Sequence, residues 1–236
     1  MNVFSAAAPV VPPSGYGAPI ALFRIRCSLR MASSSASDSL LDTYTSSNLR
    51  RHTTTNPLYR WHMEAFHERI FAFVRRADPD SVLDAGCGEG FGVHDLAQRN
   101  PALALAGIDL DAEAVAYARA RFGDIASFDQ GSILDLPYDD DARDLVLCSE
   151  VLEHLPQPAA AVAELKRVAR THVLITVPLE PHFQALNDVA QWLGISGDPG
   201  HVQFWNHDAF QAFIRAHFTE VLFARKHIYQ LALCAV

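Results

Sequence analysis

Lysine is nearly absent from this sequence. Only Lys166 and Lys226 stand among its 19 basic residues, and the formal net charge of the 236-residue chain is −8. A protein that binds a nucleic-acid backbone needs a dense cationic surface, so this charge argues against nucleic acid as a partner. No apolar run approaches the roughly 18 residues of a membrane-spanning helix. The sequence therefore predicts an acidic protein with no transmembrane segment.

Paired cysteines are also missing. Cys27, Cys87, Cys148 and Cys234 are far apart, and none belongs to a C-x-x-C pair. This spacing excludes the common zinc-binding and dithiol redox motifs. It favours reduced, structural thiols in a reducing compartment, so the cytoplasm is the expected location.

Acidic residues do not occur before Asp38. Residues 1–40 instead contain scattered prolines and a serine run, a composition that cannot build a packed element. We therefore expect a disordered leader over residues 1–40, or a true start at Met31. An organelle transit peptide in residues 1–37 is the alternative, because such peptides lack acidic residues and contain arginine and serine.

After residue 40 the hydrophobic pattern becomes periodic. Residues 41–78 are predicted to be mainly helical, with one apolar face formed by Trp61, Ala65, Phe66, Ile70, Phe71 and Val74. Over residues 79–236, short apolar runs alternate with helical patterns. This alternation predicts an α/β fold, in which helices cover both faces of a mostly parallel, doubly wound sheet. The short link at residues 225–227 suits an antiparallel pair at the end of the chain.

A glycine-rich turn follows the first predicted strand. The strand ends at Asp84, and Gly86, Gly88 and Gly90 precede a helical pattern. Such a turn exposes backbone N–H groups and a helix N-terminus, which suit a polar or anionic ligand. The dinucleotide-binding pattern G-x-G-x-x-G would need glycine at position 91, where the chain has Phe91. The departure favours a nucleoside ligand without a pyrophosphate.

A second acidic residue ends the next predicted strand. Asp109 follows the glycines by roughly 20 residues, a position from which a carboxylate accepts hydrogen bonds from ribose hydroxyls. Two further stretches then occur in order, residues 130–138 (QGSILDLPY) and residues 144–155 (DLVLCSEVLEHL). The next carboxylate, Asp111, suits the N-cap of the following helix better than the ribose.

These four stretches, in this order, resemble the class I S-adenosylmethionine-dependent methyltransferases, in particular the branch with the ubiquinone-biosynthesis O-methyltransferases. The resemblance implies a Rossmann-like, seven-stranded sheet with an antiparallel last strand, and S-adenosylmethionine as cofactor. It also implies in-line methyl transfer, most directly to an oxygen of a small-molecule acceptor. The implied cofactor-binding residues are Asp84 for the ammonium group, Gly86, Gly88 and Gly90 for the methionine part, Asp109 for the ribose, and Leu110, Ser132 and Ile133 for the adenine.

The resemblance also assigns roles to the segments around the cofactor site. Residues 41–78 are expected to form a helical lid over the cofactor. Loops on the carboxyl side of the strands line the ligand crevice in such sheets, so residues 179–205 are expected to be an insertion that caps the substrate, with His182, Trp192, His201 and Trp205. Four side chains of the lid are candidates to face the substrate: Tyr44, Tyr59, His62 and His67.

An acidic–histidine motif follows the fourth predicted strand. Glu150, Glu153 and His154 have the i, i+3, i+4 spacing of one helix face, and we expect Glu150 and His154 to act in catalysis. Together with His201, the motif resembles the magnesium site of the small-RNA terminal 2′-O-methyltransferases. A bound Mg²⁺ on Glu150, Glu153, His154 and His201 is thus one hypothesis, and His154 as a metal-free general base is the other. The alternative functions are an RNA 2′-O-methyltransferase-like enzyme with a divalent metal, and a non-catalytic cofactor-binding regulatory subunit.

Overall fold

The computed structural model describes residues 41, 43–185, 188 and 200–236, without the side chains of Ser47, Arg51 and Leu58. The predicted leader at residues 1–40 lies outside the described residues. So does the central part of the predicted substrate cap, including Trp192.

Helices and strands alternate through most of the described chain. The helices are α1 (Ser47–Thr53), α2 (Pro57–Ala77), α3 (Phe91–Arg99), α4 (Ala112–Phe122), α5 (Pro158–Val168) and α6 (His207–Arg215), with a 3-10 turn at Leu152–His154. The strands are β1 (Ser81–Ala85), β2 (Ala104–Asp109), β3 (Ser127–Gln130), β4 (Arg143–Ser149), β5 (Ala169–Pro178), β6 (Val221–Lys226) and β7 (Tyr229–Ala235).

The seven strands form one sheet in the order β3-β2-β1-β4-β5-β7-β6. Neighbouring strands from β3 to β5 are parallel, while β7 runs antiparallel to both β5 and β6. Parallel neighbours need a crossover connection, which the helices supply, whereas β6 and β7 are joined by a tight hairpin. The predicted fold class, a doubly wound sheet with an antiparallel last strand, is confirmed.

Alternate strand residues fill two cores on opposite faces of the sheet, as expected for strands buried on both sides. Leu83, Val146 and Ile175 pack on the face covered by α5 and α6. Val82 and Leu174 pack on the other face, against α2. The side of a strand on which a residue lies therefore decides which helices it contacts.

Trp61 does not lie on the buried face of α2, so this part of the prediction is wrong. Trp61 is 56% exposed, whereas Phe66, Ile70, Phe73 and Val74 are buried. A helix turns about 100° per residue, so Trp61 lies roughly 140° around the axis from Phe66. The buried stripe of α2 thus passes through Phe73 and leaves the indole ring at the surface.

No helix in the described part of the chain is long and apolar enough to cross a membrane. The carboxyl ends of the parallel strands meet at one edge of the sheet, and β7 begins there because Tyr229 pairs with Pro178 at the end of β5. Ligands of doubly wound sheets bind at this edge.

Candidate active site

The turn after β1 depends on its glycines. Gly86 and Gly90 have φ values of +90° and +80°, a region that other residues rarely adopt. A Cβ atom on Gly86 would lie 2.3 Å from Val151 Cγ2, and one on Gly90 would lie 2.8 Å from Phe128 Cε1. The Gly86 and Cys87 N–H groups donate to the Ile108 carbonyl oxygen at the end of β2, which ties the turn to the next strand.

Asp109 joins this turn to the loop after β2. Its Oδ2 accepts a hydrogen bond from the Gly88 N–H at 2.7 Å, and its Oδ1 accepts one from the Asp111 N–H at 2.9 Å. Asp111 caps α4 by accepting from the Glu113 and Ala114 N–H groups, as the sequence predicts. A carboxylate has about four acceptor positions, so Asp109 retains capacity for ribose hydroxyls.

Asp84 is a buried carboxyl group at the end of β1, with 5% of its surface exposed. Burial, and secondly the charge of Asp109, raises the pKa of Asp84 from 3.8 to about 7. The ionised form is therefore costly to hold in this position. An ammonium group placed next to it would remove that cost, which fits the methionine end of S-adenosylmethionine.

The loop after β3 lies beside Asp109. The Gly131 N–H donates to the Asp109 carbonyl oxygen at 2.9 Å, and the Ser132 hydroxyl accepts from the Leu134 N–H at 3.1 Å. Leu110 is 72% exposed, while Ile133 is half-buried against the core. The two residues predicted to sandwich the adenine thus follow neighbouring strands, and the Ser132 hydroxyl hydrogen remains able to donate to a ligand.

Glu89, which the sequence analysis missed, fastens the N-terminal segment to the glycine turn. It is 2% exposed and accepts hydrogen bonds from the Tyr44 hydroxyl at 3.0 Å, the Ser46 hydroxyl and the Asn48 side-chain amide. Burial, followed by the charge of Glu89, raises the pKa of Tyr44 to about 12. Tyr44, predicted to face the substrate, therefore serves this contact. In the sequence, the only indication of this contact with Glu89 is the polar run at residues 43–48.

A second missed residue, Thr176, lies at the ends of β4 and β5. It is fully buried, and its hydroxyl donates to Glu150 Oε1 at 3.1 Å. The Thr176 oxygen is 2.9 Å from the Ser149 hydroxyl, which therefore donates to it. Since the Thr176 carbonyl also accepts from the Glu150 N–H, both ends of Glu150 are held by one residue.

Glu150, Glu153 and His154 do not share a helix face, so that prediction is wrong. Glu150 has a φ of +58°, which interrupts any helix, and only a three-residue 3-10 turn follows at Leu152–His154. One oxygen or nitrogen each from Glu153, His154 and His201 lie within 4.8 Å of one another. Glu150 is not part of this group, since its carboxylate lies with Thr176.

Backbone contacts bring His201 to this turn. The Glu153 carbonyl oxygen accepts from the Val202 and Gln203 N–H groups at 2.8 and 2.9 Å. His154 Nδ1 lies 3.3 Å from the Gly200 carbonyl oxygen, which can only accept, so Nδ1 carries the hydrogen in this contact. The Nε2 lone pair of His154 is then the one that can accept a proton or bind a metal.

Two other predicted residues, His67 and Trp205, make structural contacts. His67 Nδ1 is 3.5 Å from Asp95 Oδ2, so this ring braces α2 against α3. Burial is the main cause of its lowered pKa. Trp205, at the end of the predicted cap, is a core residue that is 9% exposed.

Comparison with known proteins finds a family match in the centre of the chain. Residues 83–176 match the family model described as a methyltransferase domain. A probable S-adenosylmethionine-dependent methyltransferase of Mycolicibacterium smegmatis is 36% identical over 108 residues, which cover 44% of this chain and 40% of that protein. The ubiquinone biosynthesis O-methyltransferase of Alkalilimnicola ehrlichii is 33% identical over 101 residues, 40% of each chain. The matches thus span less than half the length of these relatives.

Solved structures show the same fold at low sequence identity. The PH0226 protein of Pyrococcus horikoshii superposes with a TM-score of 0.62 at 15% identity, covering 77% of this chain and 92% of that one. Magnesium protoporphyrin IX methyltransferase from Synechocystis gives 0.59 at 15% identity, covering 84% and 98%. The methyltransferase domain of a bacterial Hen1 protein gives 0.58 at 17% identity, covering 73% and 98%.

Proposed function

We propose that the protein transfers a methyl group from S-adenosylmethionine to an oxygen of a small-molecule acceptor, since residues 83–176 match the methyltransferase domain family. The observation that carries the proposal is the placement of Asp84 and Asp109 around the glycine turn at adjacent strand ends. Oxygen is the proposed acceptor atom because a base near the site can take a hydroxyl proton. The relatives include the malonyl-[acyl-carrier protein] O-methyltransferase of Hahella chejuensis and also the ajmaline N-methyltransferase of Rauvolfia serpentina.

The residues present fit the cofactor along the edge of the sheet. The loop containing Ser132 follows β3, Asp109 ends β2 and Asp84 lies in β1, in the spatial order adenine, ribose, ammonium. Gly86 and Gly90 leave room for a ligand against the backbone where a Cβ atom would clash. The buried carboxyl group of Asp84, whose ionised form is costly to hold there, would gain a partner in a cationic group.

The cofactor supplies an activated methyl group, so the protein has to align the acceptor, exclude water and remove a proton. Glu150, held by Thr176 at the end of β4, places a fixed negative charge near the acceptor hydroxyl, and this charge favours protonation of His154. His154, with its Nε2 lone pair available, takes the proton. The segment around Tyr44, fastened to the turn through Glu89, keeps water from the cofactor.

Addition of S-adenosylmethionine should raise the melting temperature of the wild-type protein, because a ligand that binds only the folded state stabilises it. Asp109→Ala should remove most of this increase. It should also lower the melting temperature without ligand, because the Gly88 and Asp111 N–H groups lose their acceptor. Thermal melts with and without the cofactor measure both effects.

Asp111→Ala is the matched control for Asp109→Ala. It removes the N-cap of α4, which should lower stability by about 1 kcal/mol while leaving the cofactor response intact. An undiminished response in Asp109→Ala would refute the ribose assignment. Transfer of labelled methyl from the cofactor to a metabolite extract then separates an enzyme from a non-catalytic cofactor-binding subunit.

A divalent metal is a second candidate for activating the acceptor, on the evidence of the group formed by Glu153, His154 and His201. Two imidazoles and one carboxylate suit Mn²⁺, Fe²⁺ or Zn²⁺ better than Mg²⁺, which prefers oxygen ligands. The donor set therefore does not favour magnesium, which was one of the two hypotheses drawn from the resemblance. If a metal is bound, these three residues hold it, and it would help to deprotonate a hydroxyl.

Mn²⁺ should raise the melting temperature of the chelator-treated protein more than Mg²⁺, because the imidazole ligands favour it. His201→Ala should abolish the increase, whereas His172→Ala, at the opposite end of β5, should retain it. Thermal melts and methyl transfer after chelation provide the two readouts. Full activity in chelator and no response to Mn²⁺ would leave His154 as a metal-free base.

A further inference from the structure

A cluster of aromatic rings lies where α2 meets the β6–β7 hairpin. We call Trp61, His62, His227 and Tyr229 the aromatic wall. The ring centroids of Trp61 and His227 are 5.0 Å apart, those of His62 and His227 are 5.1 Å apart, and those of His62 and Tyr229 are 5.4 Å apart. Each ring therefore contacts the next, at distances typical of aromatic pairs.

The outer rings of the aromatic wall are open to solvent. Trp61 is 56% exposed and His227 is exposed, whereas Tyr229 is buried against Phe66 at the base. Burial and the neighbouring His227 lower the pKa of His62, so its ring is neutral at pH 7. An exposed tryptophan that meets the His227 ring edge-to-face offers a π-face to a ligand without requiring a charge on that ligand.

His227 occupies a backbone position that normally selects glycine. Lys226 pairs with Tyr229, so the hairpin has a two-residue link, and His227 adopts a φ of +53° in it. Glycine is strongly favoured at positive φ in such tight hairpins. The hairpin tip is also held in place, because the Leu179 N–H donates to the Ile228 carbonyl oxygen at 2.7 Å. Glycine would suit the backbone at position 227 better, yet the chain has an imidazole there, at the fixed tip of the hairpin.

The order of the strands puts the aromatic wall next to the acceptor-binding residues. Asp84 in β1, Ser149 in β4 and Thr176 in β5 lie on neighbouring strands, and β7 comes next. Thr176 pairs with Leu231, and Tyr229 lies two residues earlier in β7 on the same face. Such diagonal neighbours are about 7–8 Å apart. The wall therefore begins one strand beyond the residue that holds Glu150, on the side away from the cofactor residues.

We propose that the aromatic wall binds the body of a planar, aromatic acceptor whose hydroxyl group points toward Glu150. The inference rests on the proposed methyl transfer and names its substrate class, a phenol or a fused-ring aryl alcohol. The rings of Trp61 and His227 stand at 70° to each other, so a flat ring system stacks on one of them with its whole face and meets the other edge-on. A puckered, saturated ring of the same size contacts these faces only through its axial hydrogens.

The test compares two neutral alcohols of matched size, 2-naphthol and its saturated counterpart trans-2-decalol. Calorimetric titration of the protein saturated with S-adenosylhomocysteine should show 2-naphthol binding roughly tenfold more tightly, the effect expected of one or two aromatic contacts. Trp61→Ala and His227→Gly should each lose most of this preference. Neither is expected to unfold the protein, because Trp61 is exposed and glycine suits the backbone at position 227.

Arg60→Ala, at the exposed residue next to Trp61, is the control and should keep the preference. All variants should keep the increase in melting temperature caused by S-adenosylhomocysteine. Equal affinity for the two alcohols, or a preference that survives both ring deletions, would overturn the aromatic wall while leaving methyl transfer intact. Absence of any response to S-adenosylhomocysteine in the wild type would instead overturn the proposed function, and this inference with it.

Discussion

Asp84→Asn is expected to raise the melting temperature of the unliganded protein at pH 8 by about 5 °C or more and to abolish its response to S-adenosylmethionine. The pKa of Asp84 lies at about 7 instead of 3.8, chiefly because the group is buried. A difference of this size corresponds to roughly 4 kcal/mol against the charged form. Asparagine cannot ionise, so it removes this penalty, but it also removes the anion that an ammonium group requires.

The pH dependence of this stabilisation follows from proton linkage. A carboxyl with a raised pKa binds its proton more tightly in the folded protein, so the penalty grows as pH rises from about 4 to 7 and is constant above that range. The gain in Asp84→Asn should therefore be full at pH 8 and absent near pH 4. Thermal melts across this range measure it.

Asp144→Asn is a control for which the opposite change in melting temperature is expected. The pKa of Asp144 is lowered, first by the hydrogen bond from the Ser81 hydroxyl, so its charge stabilises the fold at neutral pH. That stability is lost only as the pH falls below the ordinary range of an aspartate. Asp144→Asn should lower the melting temperature at pH 8 and keep the cofactor response. A cofactor response that persists in Asp84→Asn would contradict the assignment of Asp84.

Glu89→Ala is expected to release the N-terminal segment and to weaken cofactor binding roughly tenfold or more. Three donors, on Tyr44, Ser46 and Asn48, lose their common buried acceptor. Hydrogen bonds to a charged group contribute about 1.5–3 kcal/mol each, and groups that act together do not add simply. If residues 41–78 cover the cofactor, as the sequence predicts, release of their first part exposes it to water.

Hydrogen exchange of residues 43–56 and calorimetric titration with S-adenosylhomocysteine are the measurements for Glu89→Ala. Exchange should become faster in these residues and remain unchanged in β4. Glu68→Ala, which removes a surface ion pair with Arg99, is the matched control and should change neither property. Slow exchange at residues 43–56 in Glu89→Ala would show that other contacts hold the segment.

Local patterns were enough to predict the strand, the glycine turn and the helix cap around Asp84 and Asp109. The strand Ser81–Ala85 and its glycine turn follow from a buried apolar run that ends at residues needing positive φ. The distinction between Asp109 and Asp111 follows from capping, because only Asp111 precedes the helix by the right interval. These features depend on residues that are close together in the chain, so a local sequence pattern is enough to predict them.

The features that could not be predicted depend on distant segments. Glu89 meets partners more than 40 residues earlier in the chain, and Thr176 meets Glu150 only because β4 and β5 are adjacent. The helix expected for the acidic–histidine motif does not form because Glu150 has a positive φ. No sequence pattern around Glu150 indicates this backbone conformation. The spacing of charged residues along a chain does not fix their spacing in the structure unless the backbone between them is regular.

The family match covers only part of the carboxyl edge of the sheet, and the reversed strand β7 lies beyond it. The family match ends at Thr176, within β5, and includes Asp84, Asp109 and Glu150. All four members of the aromatic wall lie outside it, on α2 and on the β6–β7 hairpin. A β6–β7 hairpin grafted from one of the matching methyltransferases would change only the part of the carboxyl edge that lies beyond β5. With the acceptor bound to the aromatic wall, as proposed, changes in α2 and in the β6–β7 hairpin would alter the acceptor preference. The parallel strands and the proposed cofactor site would stay the same.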